Sequence, residues 1–151
     1  MNKIFFGLII LVLWQYRGKV EDLVVAKKVT SPHLLNSNCL LKEKCAVVYI
    51  APWCPACLNI IPELKGILNN ARIQSRFGFI VIVGQGLNPA DNQSKVNEIG
   101  EGAFVDTFNE WSESLRVKKF PSFFVLDRSG SVVEEDRHAR EWINKNFVPL
   151  L

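Results

Sequence analysis

A chain of 151 residues, 48% hydrophobic and 22% charged, has apolar matter for one proper core and too little length for two domains. This balance excludes a disordered chain. The formal net charge of +3 is scattered, and no basic block is interleaved with aromatics, so no nucleic acid is expected as a partner.

The chain begins with an apolar run, Ile4 to Trp14, behind Lys3. As a helix it would cover roughly 16 Å, against about 30 Å of membrane hydrocarbon. That length suits the apolar part of an export signal, yet bulky Trp14, Gln15, Tyr16 and Arg17 stand where a small-residue cleavage site belongs. Residues 1–19 are therefore expected to form an uncleaved signal anchor or a signal peptide, with Lys3 and Arg17 reaching the two membrane surfaces. Residues 20–151 are expected to form the folded domain. Four cysteines favour an oxidising compartment, which places that domain on the periplasmic or extracellular face.

Val20 to Thr30 reads as a linker or edge strand, and Ser31-Pro32 as the start of a short helix. Ala46 to Ala51, AVVYIA, lacks alternation and reads as a strand buried on both faces. After it, Cys57, Ile60, Ile61, Leu64, Ile67 and Leu68 make the apolar stripe of a helix, in which Pro62 should introduce a kink. Gly78 to Gly84 is a second buried strand, Asn88-Pro89 opens a helix to about Ile99, and a short strand is expected near Ala103. Phe108, Trp111 and Leu115 fall on one face of a further helix, with Phe108 and Trp111 in the core. Ser122 to Leu126 is a strand, Asp127 to Gly130 a turn, and the SVV that follows returns antiparallel. Glu134 to Asp136 reads as a solvated stretch before a last helix striped by Ala139, Trp142, Ile143 and Phe147. The order β-α-β-α-β-β-α implies an α/β domain, a mixed central sheet with helices on both faces.

Cys54 and Cys57, in CPAC, sit where the buried strand gives way to the first helix. Unpaired N–H groups and the helix dipole stabilise a thiolate there. Cys54 is expected at the helix end, within reach of a substrate, and Cys57 one turn later on the buried stripe. That asymmetry suits attack by Cys54 and resolution by Cys57. Trp53 reads as a flat apolar lid beside Cys54, or as a core tryptophan. A zinc site wants two close ligand pairs, whereas Cys39, Cys45, Cys54 and Cys57 are unevenly spaced and His33 and His138 show no ligand spacing with them. No metal is expected. Cys39 and Cys45 close a small loop and read as a structural disulfide, with a second redox pair relaying electrons to Cys57 as the sharper alternative.

The string AVVYIA, then Pro52-Trp53-Cys54-Pro55-Ala56-Cys57, then Pro62, and much later Phe120-Pro121 leading into SFFVLDRSGSVV, resembles the thioredoxin superfamily over roughly Lys44 to Phe147. The chain is most similar to its membrane-anchored, exported TlpA/ResA-like group, with Asn88 to Val105 as the helix-and-strand insertion and Pro121, Phe124, Asp127 and Gly130 as the ending. The resemblance implies a thioredoxin fold and a thiol–disulfide oxidoreductase needing no cofactor. It implies a cis proline at Pro121, which with Phe120 docks an extended substrate chain. Partners would be protein thiols and disulfides, a membrane or periplasmic redox protein, and the membrane itself through the N-terminal segment, the chain being a monomer. The acids that assist the second cysteine in relatives are absent: Val48 and Ile60 occupy those positions, Glu63 matches neither, and Ser122 stands where a glutamate follows the proline. With Ala56 rather than a histidine between the cysteines, the reducing side is expected. An oxidant of the same fold, or a non-catalytic binding or metal-delivery module, is the alternative.

Overall fold

The structure, a computed structural model, describes Cys39 and residues 41–150. The anchor, the Val20–Thr30 stretch and the helix expected after Ser31 lie outside the described residues. Among the described residues, five strands form one mixed sheet in the order β3-β2-β1-β4-β5. They are β1 (Lys44–Ile50), β2 (Gly78–Val83), β3 (Ala103–Val105), β4 (Ser122–Asp127) and β5 (Val132–Asp136). β1 lies at the centre, parallel to β2 from Cys45↔Gly78 to Ile50↔Val83 and antiparallel to β4 from Lys44↔Asp127 to Tyr49↔Ser122. The helices are α1 (Pro55–Leu68), α2 (Ala71–Arg76), α3 (Pro89–Ile99), α4 (Glu110–Ser114) and α5 (Ala139–Asn146).

Strand alternation divides the core in two. Ala46, Val48 and Ile50 face Cys57, Ile61 and Leu64 of α1 and Trp142 of α5. Val47 and Tyr49 point the other way, into a layer with Trp111, Leu115, Phe124 and the pair Cys39 and Cys45. With both faces covered, β1 and β2 can be apolar without alternation, and every residue of β2 is buried. The expected mixed sheet with helices on both faces is what the chain forms, and no described helix is long and apolar enough to cross a membrane.

α5 packs on the core through Trp142, with Ala139 and Ile143 beside it. Trp142 is fully buried, its ring 5.0 Å from that of Phe123 and 5.3 Å from that of Phe147. The helix α1 runs through Pro62, which is exposed, so the missing N–H falls on the solvent side.

One local reading is corrected, and two segments carry structure that the sequence did not disclose. The segment after α1 makes a second short helix, α2, because the Asn70 side chain accepts the N–H groups of Arg72 and Ile73 while Ile73 fills the core. Glu134 to Asp136 belong to β5, paired with Val125, Phe124 and Phe123; charge on an edge strand is tolerated because its outer side meets water. Phe108 is not in the core. It precedes α4 and is 78% exposed.

Cys39 and Cys45 are bonded to each other, with Cα atoms 4.9 Å apart. From Cys45 to Ile50 the strand covers on the order of 17 Å, so this pair sits at the opposite end of β1 from Cys54, and against the opposite sheet face. In this arrangement the two pairs are too far apart to exchange directly with each other. Replacing both Cys39 and Cys45 by alanine is expected to lower stability by roughly 2 kcal/mol, the loop-closure value for so short a loop, while leaving exchange at Cys54 unchanged. Urea unfolding beside a thiol-exchange assay checks both halves.

Candidate active site

At the C-terminal end of β1 the chain turns sharply: the Cys54 N–H donates to the Ala51 carbonyl at 3.1 Å. Cys54 keeps an extended backbone and caps α1, with Pro55 supplying the helical φ of the first turn. The cap is unusual in its atom. The Cys57 backbone N–H donates to Cys54 Sγ at 3.2 Å, so a sulfur takes the place that a hydroxyl or carboxylate oxygen fills at most helix starts. Any negative charge developing on that sulfur meets this N–H and the positive end of α1.

Cys57 lies one turn on and is fully buried beside Val48 and Leu64. Burial, and after it the contact with Cys54, raise its thiol well above the ordinary range. Among the described residues the one buried carboxylate, Asp106, bonds Tyr49 in the layer on the other sheet face. Both cysteines are unbonded. Cys54 is only 5% exposed, less open than its place at a helix end suggests.

The residues flanking the turn bring aromatic rings together. The indole of Trp53 is half exposed and its Nε1–H donates to the Gln85 carbonyl at 2.6 Å. The Phe120 ring meets the Trp53 ring edge-on at 5.4 Å and the Tyr49 ring at 5.9 Å. The Phe120–Pro121 peptide bond is cis, and Ser122, next along, pairs with Tyr49 on β1. Cys54, Cys57, Trp53, Phe120 and Pro121 thus gather at one end of the sheet. Cys39 and Cys45 do not join them.

Beneath this cluster lies a polar network that sequence patterns did not reveal. Tyr49, in the middle of an apolar run, donates its hydroxyl to Asp106 Oδ2 at 2.8 Å. Asp106 is buried and also accepts the N–H groups of Trp111 at 3.1 Å and Ser112 at 3.0 Å, which ties the start of α4 to the sheet. Burial and then the Asp106 carboxylate raise the Tyr49 phenol far above its usual value, so it stays a donor. Gly84 passes directly beneath this hydroxyl, where any Cβ would collide with it. The next residue, Gln85, adopts a left-handed backbone (φ 59°) that aims its carbonyl at Trp53, and its side chain donates to Asn109 Oδ1 at 3.0 Å. The one sequence signal was an aspartate just after an apolar strand, too common to single out.

Among the described residues no three His, Cys, Asp or Glu side chains cluster as a metal site would require. What the arrangement can do is move two electrons, with one sulfur poised at a helix start and a second buried a turn away.

No family model matches the chain, and no curated protein does. Solved structures do. The N-terminal domain of PilB from Neisseria gonorrhoeae is 17% identical, with 75% of this chain and 89% of that one aligned at a TM-score of 0.59. MTB DsbF, solved in mixed oxidised and reduced forms, is 19% identical, with 83% of this chain and 93% of that one aligned at a TM-score of 0.57. The exposed lipoprotein thioredoxin Etrx1 from Streptococcus pneumoniae is 20% identical over 64% and 75% at 0.54. At such identities the likeness is one of architecture, and with the strand order and the helix that starts at Cys54 it establishes that this chain has the thioredoxin fold.

Proposed function

We propose that the protein is a thiol–disulfide oxidoreductase acting on protein disulfides through Cys54 and Cys57, on the reducing side. The observation that carries this reading is the 3.2 Å hydrogen bond from the Cys57 N–H to Cys54 Sγ, which sets two unbonded cysteines one helical turn apart with a backbone donor on the first. The Cys54 thiolate attacks one sulfur of a substrate disulfide; a mixed disulfide forms and the other substrate sulfur leaves as a thiolate. Cys57 then gives up its proton and attacks Cys54 Sγ, the Cys54–Cys57 bond forms, and the second substrate sulfur leaves. The substrate gains two electrons and, after protonation, two thiols.

In this reading Pro121 and Phe120 dock the substrate chain, Trp53 shapes the surface beside Cys54, and the Cys39–Cys45 bond is structural. The protein works as a monomer without metal or bound cofactor, and a membrane or periplasmic redox protein recharges it. It is held at the periplasmic or extracellular face by residues 1–19. The fold neighbours support that placement: one is described as an exposed lipoprotein and another, from Mycobacterium tuberculosis, as a secreted disulfide oxidoreductase.

The test is titration of the full chain in defined glutathione buffers, with free thiols counted by mass, beside an insulin-reduction assay. A reversible two-electron couple lost in Cys54→Ser, with a potential near about −270 mV, is expected; a value near about −120 mV would make it an oxidant. Absence of any reversible Cys54–Cys57 couple would refute the proposal.

A further inference from the structure

The segment joining α4 to β4, residues 115–121, brings Phe120 against Trp53 and ends at Pro121 beside the close of β1. It is also basic. Arg116, Lys118 and Lys119 are exposed, and among the described residues none of their side chains enters an ion pair. No carboxylate occurs within the segment; the nearest in sequence, Glu110 and Glu113, belong to α4. Lys118 and Lys119 are within three residues of Pro121, so their backbones lie no more than about 10 Å along the chain from it.

On the other side of Cys54 exposed apolar side chains stand among polar ones, with Asp91, Ser94 and Lys95 beside Leu87. Sheet order puts the loops after β2 and β3 there, and these carry Leu87, 87% exposed, and Phe108. Both loops are tied to Trp53 through Gln85 and Asn109. Side chains so exposed gain nothing for the fold, whereas on a surface that receives another chain they supply contact area.

On the basis of the proposed oxidoreductase activity, we infer that this rim selects disulfides set in acidic protein segments, the carboxylates lying along residues 116–119 and an apolar residue toward Leu87 and Phe108. Opposite charge across an encounter surface raises the association rate and fixes the direction in which the partner chain lies. Substrates with lysine beside the disulfide are correspondingly disfavoured.

The test uses the reduced full chain and three peptides with one intramolecular disulfide each, identical except for Asp-Glu, Ser-Ser or Lys-Lys beside it. Neutral bis(2-hydroxyethyl) disulfide is the control. At low salt the acidic peptide should react roughly tenfold faster than the serine peptide, and about 0.5 M salt should remove most of the difference. Lys118→Ser/Lys119→Ser should reduce the ratio to under about twofold and leave the neutral control unchanged. Equal rates for acidic and serine peptides, with the control reduced normally, would overturn the inference and spare the enzyme reading. So would lysine-dependent binding to phosphatidylglycerol vesicles without peptide discrimination, which would assign the lysines to a lipid surface. If the control itself is not reduced, the oxidoreductase reading fails, and this inference with it.

Discussion

In a Cys57→Ser variant, substrate is expected to remain covalently attached to Cys54, and multiple-turnover reduction should fall on the order of a thousandfold or more. Cys54 keeps its place at the start of α1, so the first exchange proceeds; the second has no nucleophile. Gel electrophoresis without reductant should show the adduct, and release of substrate without Cys57 would show that another thiol resolves it. The wild-type resolving step should depend steeply on pH. Because burial holds the Cys57 thiol above its ordinary range, its thiolate fraction, and so the release rate, should climb about tenfold per pH unit from 7 to 9.

The same shift has a stability counterpart. A raised folded value means that the unfolded thiol ionises first, so the Cys57 contribution is fully present below about pH 8.5, the unfolded value, and is lost as pH rises above it. Between pH 7 and 10 the reduced wild type should lose about 2 kcal/mol more than reduced Cys57→Ser. Equal losses would mean that Cys57 is not shielded from water.

Asp106→Ala is expected to destabilise the domain by about 4 kcal/mol, since it strands three buried donors at once: the Tyr49 hydroxyl and the N–H groups of Trp111 and Ser112. Tyr49→Phe removes one donor and leaves the carboxylate bonded to α4, so about 1 kcal/mol is expected there. In the double variant the two losses should fall short of additive, because the Tyr49–Asp106 bond can be removed only once. Urea unfolding of the four proteins measures the cycle. A loss under about 1 kcal/mol for Asp106→Ala would mean that water replaces the carboxylate and the network is not dry.

What the sequence disclosed follows from how local each signal is. Cys54-Pro55-Ala56-Cys57 after an unbroken apolar strand states its own geometry, because a buried strand, a proline at the first helical position and a stripe starting at Cys57 all lie within one short stretch. The Tyr49–Asp106 bond joins residues 57 positions apart, and an apolar run gives no hint that one member carries a hydroxyl needing a partner. Phe108 failed for a related reason. Its spacing to Trp111 and Leu115 fits a helix face, but α4 begins only at Glu110, so the periodicity was coincidence. The acids of β5 were read by charge alone; pairing with β4 through the backbone is indifferent to the side chains that face water. The meeting of Trp53 and Phe120 joins distant loops, and no local pattern signals it.

The separation of the two cysteine pairs along β1 also bears on how the chain is born. Four cysteines can join in three ways, and in a nascent chain Cys45 and Cys54 are near enough in sequence to be captured wrongly. Once Cys45 to Ile50 lies flat between β2 and β4, a Cys45–Cys54 bridge would have to span that whole length of extended strand, and it cannot form. Assembly of the central strand therefore acts as its own proofreader: a chain oxidised before β1 is seated can be trapped with the wrong partners, and one oxidised afterwards has a single choice at each end.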